Sequence, residues 1–146
     1  MKVREVTQIL LEKGCYEVSL GDTIGVGTPG AIATVLKQVL ETIQPGKIAL
    51  HLHDTYGQAL ANILVGLQHG IRTFDSSVAG LGGCPYAPGA SGNVATEDVV
   101  YMMDGLGIKT GISLDELVKV GHFISTELGR PNGSKVGRAV FSLQDQ

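Results

Sequence analysis

Residues 48–57 read IALHLHDTYG, and this stretch decides the fold that we predict for the chain. Its short apolar run, bounded by turn residues, is typical of a strand in a parallel sheet, and we expect a strand over residues 47–53. Thr55 and Gln58 have the spacing of a capping box, which predicts a helix over residues 56–69. A strand that leads directly into a helix is the repeating unit of a parallel α/β sheet.

Strands and helices alternate in the same way along the rest of the chain. The pattern of apolar residues, caps and turns predicts further strands at 16–20, 72–77 and near Asn93, and further helices at 3–13, 28–43, from 96 and at 113–128. Four strands alternating with helices predict a parallel α/β sheet, either doubly wound or closed into a barrel. In both cases the chemistry belongs to the loops that follow the strands.

Polar side chains lie where each predicted strand ends: Asp22, His51 with His53, Asp75 and Asn93. Because parallel strands end at the same edge of their sheet, these residues form the candidate active site. Asp22 fits a base, a metal ligand or a hydrogen-bond partner, although aspartate next to glycine also occurs in ordinary turns. Asn93 carries an amide oxygen that can bind a hard cation.

His51 and His53 are two residues apart in a predicted strand, so their side chains lie on the same face. Two imidazoles at that spacing can bind one metal ion, while a pair of ordinary hydrogen-bonded histidines is the alternative. The spacing does not name the metal, because histidine ligands fit zinc, copper, nickel, iron and manganese. Asp54 lies on the opposite face and is expected to support the turn into the helix.

Cys84 lies in the loop SVAGLGGCPYAPGASGN, residues 77–93. A glycine-rich loop can bring a reactive thiolate over a substrate, and the alternative is a small buried apolar side chain. Cys15 has apolar neighbours between a helix and a strand, so we expect it to be buried and inert. Two cysteines provide no disulfide framework, which indicates reduced thiols in a cytosol-like compartment.

Composition excludes several classes of protein. The chain has 146 residues and a formal net charge of -3, so we expect no nucleic-acid partner. No apolar run approaches the roughly 18 residues that span a bilayer, and we expect no membrane partner. The 21 glycines make up a fraction of the chain about twice the usual glycine share of roughly 7%, and they cluster in two loops.

Four stretches of the sequence resemble the 3-hydroxy-3-methylglutaryl-CoA lyase family: YEVSLGDTIGVGTPG, HLHDTYGQALAN, FDSSVAGLGGCPYAPGASGN and ATEDVVYM. The resemblance implies a partial (β/α)8 TIM barrel. Residues 1–128 would form its C-terminal half, with about four parallel strands and a terminal helix, followed by a loose tail over residues 129–146. The implied activity is cleavage of 3-hydroxy-3-methylglutaryl-CoA to acetyl-CoA and acetoacetate, in leucine degradation and ketone-body formation.

The resemblance also implies the roles of the site residues. His51, His53 and Asn93 become ligands of Mg²⁺ or Mn²⁺, and His51 with a carboxylate becomes the base. Cys84 becomes the mobile-loop thiol, and Asp22 a polar residue beside the substrate. The implied partner is a small acyl-CoA substrate, in the cytoplasm of a bacterium or in the mitochondrial matrix of a eukaryote.

The sequence departs from the family in one respect. Family members begin with a strand that carries an Arg-Asp pair, and no such strand is present here. We therefore expect a missing N-terminal half-barrel as partner, a homo-oligomer when the barrel is complete, and no activity from this chain alone. We also expect unpaired sheet edges and an apolar inner face. The alternatives are a condensing synthase related to the isopropylmalate and homocitrate synthases, which lack a GGCPYA-type loop, and a non-catalytic half-barrel module.

Overall fold

The computed structural model of the chain describes residues 2–83 and 92–144. The strands are β1 (Val18–Asp22), β2 (Ile48–Leu52) and β3 (Thr73–Asp75), and the helices are α1 (Lys2–Glu12), α2 (Pro29–Val39), α3 (Ala59–Gln68), α4 (Thr96–Gly105), α5 (Leu114–Glu127) and α6 (Lys135–Gln144). None of the described helices is long and apolar enough to cross a membrane.

The three strands form one parallel sheet in the order β1-β2-β3. In its register, Gly21 lies opposite His51, which in turn lies opposite Asp75. The α/β class and the parallel sheet are therefore confirmed. The strand predicted near Asn93 is reduced to two isolated bridges, one antiparallel between Asn93 and His53 and one parallel between Ala95 and Ser77. The segment is too short to pair further, because α4 begins at the next residue.

One face of the sheet is apolar and packs against the helices. Ile48, Leu50 and Leu52 are at most 2% exposed and form a cluster with buried residues of the helices, among them Leu36 and Ile63. Since side chains alternate along a strand, the residues between them lie on the other face.

That other face is polar, so the predicted apolar inner face is wrong. The hydroxyl of Ser19 donates to Asp75 Oδ2 at 2.8 Å, and the hydroxyl of Thr73 donates to Glu17 Oε2 at the same distance. Both hydrogen bonds span β2: the first joins β1 to β3, and the second joins β3 to Glu17, the residue before β1. The alternation of polar and apolar residues along β1 and β3 already predicts that this face is polar.

The helix caps follow the sequence in two cases and depart from it in a third. Thr28 Oγ1 accepts the N–H of Ala31 at the start of α2, and Ser113 caps α5 as predicted. The capping box predicted at the start of α3 is wrong. Thr55 Oγ1 is buried without a partner, and Asp54 Oδ1 accepts the N–H of Ala59 at 2.9 Å. Asp54 therefore supports the strand-to-helix turn, as expected.

Within the segment that we expect to be a loose tail, residues 135–144 form the helix α6. Asp98 in α4 accepts from the Ser134 hydroxyl at 2.6 Å and from the Val136 N–H at 2.8 Å, so it satisfies the start of α6. The Ser134 hydroxyl accepts the N–H of Gly137 in turn. The first backbone amides of α6 are therefore bound by the carboxylate of Asp98, which is distant in sequence.

Candidate functional site

The predicted site residues lie close together in the fold. They lie at the C-terminal ends of β1 and β2 and at the bridge formed by Asn93. The rings of His51 and His53 lie with their centroids 5.2 Å apart, so both imidazoles occupy one region, as the alternation of side chains predicts. Asn93 pairs with His53 through the backbone. Asp22 and Asp75 each contact one of the two rings. The polar cluster inferred from sequence is therefore a real cluster in space.

His53 is buried, with 5% of its surface exposed. Its Nδ1 lies 3.0 Å from the backbone oxygen of Asp22. Because a carbonyl only accepts hydrogen bonds, Nδ1 must carry the proton, and the lone pair of the neutral ring resides on Nε2. A histidine held in this way is preorganised as a metal ligand through Nε2.

His51 is in the same situation but is more open, with 41% of its side chain exposed. Its Nδ1 lies 3.3 Å from Oδ2 of Asp75. A carboxylate beside Nδ1 favours a proton there and leaves Nε2 for a ligand or a proton. The two histidines therefore offer two ring nitrogens through the same tautomer.

Asn93 adds an oxygen. Its Nδ2 donates to the backbone oxygen of Leu81 at 3.0 Å, which fixes the orientation of the amide and leaves Oδ1 as an acceptor. Two imidazole nitrogens and an amide oxygen can hold a divalent cation, and this donor set does not name the metal. Among residues 2–83 and 92–144 no three His, Cys, Asp or Glu side chains form a metal site, so this set depends on Asn93.

Asp22 has the turn role that its position allowed. Its Oδ2 accepts the N–H of Gly27 at 3.0 Å, which closes the loop after β1. Gly27 is required there, because a Cβ would lie 2.8 Å from the same carboxylate oxygen. The backbone of Asp22 orients His53 while its side chain shapes the loop, so the residue contributes to the site in two ways.

The described residues include Cys15 but not Cys84. Cys84 lies outside the described residues, and its role stays a prediction. Cys15 is exposed, so the expectation that it is buried is wrong. Its N–H bonds to the carbonyl of Leu10 in the turn that ends α1, with Gly14 at a positive φ of 101°. This helix-ending turn carries Cys15 outward, away from the core.

Sequence reasoning missed Glu97, which lies in the first turn of α4. Its side chain is 0% exposed, and both carboxylate oxygens accept the backbone N–H of Ala79, at 3.0 and 2.9 Å. Ala79 has a φ of 54°, a left-handed conformation that non-glycine residues rarely adopt. Burial raises the pKa of the Glu97 carboxyl above its ordinary value, and hydrogen bonds to backbone N–H groups oppose that rise.

The remaining two histidines lie away from the cluster. His69 Nδ1 contacts the carbonyl of Val65 at 2.8 Å at the end of α3. His122 on α5 stacks on Phe141, with ring centroids 3.6 Å apart. These contacts indicate structural roles for both histidines.

A parallel sheet with polar residues at its strand ends places the chain among α/β proteins whose functional groups follow the strands. The chain belongs to the HMGL-like family, whose model matches residues 1–124. It is 61% identical over 139 residues to the mitochondrial hydroxymethylglutaryl-CoA lyase of Arabidopsis thaliana, and 57% identical over 143 residues to the cytoplasmic 3-hydroxy-3-methylglutaryl-CoA lyase of Rattus norvegicus. These matches cover 95% and 98% of the chain but 30% and 42% of the relatives.

Solved structures agree. The hydroxymethylglutaryl-CoA lyase of Pseudomonas aeruginosa superposes with a TM-score of 0.89 at 54% identity, covering 95% of this chain and 47% of that one. The lyase of Acinetobacter baumannii, solved with coenzyme A and 3-methylmalate, has a TM-score of 0.88 at 39% identity, with 94% and 45% covered. The chain therefore spans less than half the length of the relatives it matches.

Proposed function

We propose that this chain is the part of a 3-hydroxy-3-methylglutaryl-CoA lyase that supplies the metal ligands, within the C-terminal half of a (β/α)8 barrel. The observation that carries the proposal is the shared orientation of His51 and His53. Each has Nδ1 against an oxygen acceptor, and Asn93, which pairs with His53 through the backbone, has its amide oriented by the carbonyl of Leu81. The relatives named above are lyases, which favours this function over a condensing synthase.

The reaction breaks one carbon–carbon bond. The tertiary hydroxyl of the substrate loses its proton and becomes the ketone of acetoacetate, while the electron pair of the broken bond passes to the enolate of acetyl-CoA, which takes up a proton. A divalent cation held by His51, His53 and Asn93 would lower the pKa of that hydroxyl. For Cys84 we keep the role of the loop thiol that helps to protonate the enolate.

His51 and His53 differ in what they can contribute. His53 is buried, so we assign it as a ligand alone. His51 is half-exposed on the polar face, where a substrate would lie, and it is our candidate for the base as well as for a ligand. Its single Nε2 lone pair cannot serve both roles in one step. Measuring whether a His51 variant still binds the metal therefore distinguishes the ligand role from the base role.

The surface of the chain supports a partner that completes the barrel. β1 pairs on one side only, with β2, so its other edge is open within the described residues. Beside that edge, α1 exposes an apolar face, with Val6 54% and Ile9 47% exposed. An apolar groove between α1, β1 and α2 continues this surface, and Leu10, Leu20 and Ile32 line it. An open strand edge beside apolar side chains is suited to a further strand and helix.

An acetoacetate-release assay tests the proposal. We expect no turnover of 3-hydroxy-3-methylglutaryl-CoA by the chain alone, and turnover when it is co-expressed with the N-terminal part of a relative. The mixture should lose activity with His53→Ala and keep it with His69→Ala, a matched histidine that also has Nδ1 on a carbonyl. A folded, associated mixture without activity would contradict the proposed function. Full turnover by the chain alone would contradict the need for a partner.

A further inference from the structure

Asp75 lies beside His51 on the polar face of the sheet and is bound by Ser19; the function proposed above uses Asp75 only as the acceptor next to His51 Nδ1 and gives Ser19 no role. Asp75 is the last residue of β3 and lies opposite His51 in the parallel register. Its Oδ2 lies 3.3 Å from His51 Nδ1 and also accepts the hydroxyl of Ser19 at 2.8 Å. One carboxylate oxygen is therefore shared between a serine on β1 and a histidine on β2.

We propose that Asp75 is a positioning residue that orients the ring of His51, and that Ser19 holds Asp75 in place to do so. On the opposite side of His51 the register places Gly21, which has no side chain to contact the ring. A Cβ built at Gly21 would meet no atom closer than 3.9 Å, and no atom of His51 is among its contacts. Within the described residues, Asp75 is the charged group that restrains His51 from the strand beside it.

The consequence concerns which ring nitrogen faces the site. A carboxylate beside Nδ1 holds the proton on that nitrogen and presents the Nε2 lone pair. His53 reaches the same tautomer through the carbonyl of Asp22. A backbone carbonyl thus orients the buried His53, whereas the carboxylate side chain of Asp75 orients the more exposed His51. Losing such an orienting partner commonly lowers metal affinity by about 10–100-fold.

The same face carries a matched control. Thr73 donates to Glu17 at 2.8 Å, also from β3 across to the residue before β1, and within the described residues no hydrogen bond or ion pair joins this pair to either ring of the candidate site. If any polar bridge between the outer strands sufficed, loss of the Thr73 bridge would have the same effect as loss of the Ser19 bridge. If orientation of His51 is the role, only the bridge to Asp75 matters.

The first measurement needs no metal. Ring ¹⁵N chemical shifts of His51 at alkaline pH, where imidazoles are neutral, report the tautomer. We expect the Nδ1–H form in the unmodified chain and in Thr73→Ala, loss of that preference in Asp75→Ala, and retention in Asp75→Asn, whose amide oxygen can still accept a hydrogen bond from Nδ1–H. Ser19→Ala should be intermediate. An unchanged tautomer in a folded Asp75→Ala chain would overturn the inference.

The second measurement rests on the proposed function and uses Mn²⁺ alone. Titration followed by the paramagnetic resonance of free Mn²⁺ should show affinity about 10–100-fold weaker in Asp75→Ala, largely restored in Asp75→Asn and unchanged in Thr73→Ala. Equal affinity in Asp75→Ala and the unmodified chain would overturn the inference, even where His53→Ala abolishes binding. An unmodified chain that binds no Mn²⁺ would contradict the proposed metal site, while the tautomer measurement would still decide the role of Asp75.

Discussion

Both carboxylate oxygens of Glu97 accept the single backbone N–H of Ala79, at 3.0 and 2.9 Å. The carbonyl of Ala79 accepts the N–H of Gly133 at 2.9 Å, so a left-handed residue is held from both sides. Two residues further on, the carbonyl of Leu81 orients the amide of Asn93. Glu97 thus stabilises the turn that leads to the candidate site.

Replacing Glu97 by alanine should destabilise the chain by about 2 kcal/mol or more. The change leaves the buried N–H of Ala79 without an acceptor, which costs about 1–3 kcal/mol, and it creates a cavity as well. Urea unfolding followed by circular dichroism measures the loss. Glu116→Ala is the control, since Glu116 is exposed on α5 and forms an ion pair with Lys119. Its cost should stay below about 1 kcal/mol, and an equal cost for both variants would contradict the role of Glu97.

Stability should also depend on pH through Glu97. Burial raises the pKa of this carboxyl in the folded chain. On raising the pH, the unfolded chain therefore loses the proton first, and the folded state becomes less stable until the pH exceeds the folded pKa. The contribution of Glu97 is most favourable below the unfolded pKa. The difference in free energy of unfolding between the unmodified chain and Glu97→Gln should fall as pH rises from about 4, an ordinary glutamate pKa. A difference that grows with pH would contradict this.

Gly121→Ala should be poorly tolerated. Gly121 lies on α5 against the buried carboxylate, and a Cβ there would clash with Glu97 Oε1 and lie 3.2 Å from the amide of Asn132. Gly105→Ala is the matched control in α4, because nothing lies within 4 Å of a Cβ at that position. Thermal unfolding should show a clear loss for Gly121→Ala, whereas Gly105→Ala should be neutral or stabilising by up to about 1 kcal/mol. Equal melting temperatures would mean that α5 moves away without cost.

Removing His53 should abolish tight Mn²⁺ binding, because it is the buried ligand whose Nε2 is preorganised by the Asp22 carbonyl. Calorimetric titration of His53→Ala and of His69→Ala provides the comparison. We expect no measurable tight binding in the first variant and unchanged binding in the second. Retained affinity in His53→Ala would remove this histidine from the ligand set.

The sequence by itself determined the features that depend on local pattern. The alternation of strand and helix, and the helix ends at Gly14 and Gly70 with their positive φ, follow from periodicity and backbone geometry within a few residues. That His51 and His53 share a face follows in the same way, because the period of a strand is two. Helix ends and strand limits moved by up to a few residues, but the order of elements did not.

Only the tertiary structure decided which distant groups meet. Ser19 and Asp75 are 56 positions apart in the chain, and their hydrogen bond and the contact of Asp75 with His51 depend on the register of three strands. The burial of Glu97 under Ala79 depends on how α4 and α5 pack around a turn with no unusual sequence. A local pattern specifies the face on which a side chain lies but carries no information about its partner across the fold. That partner is set by the free energy of packing the whole chain.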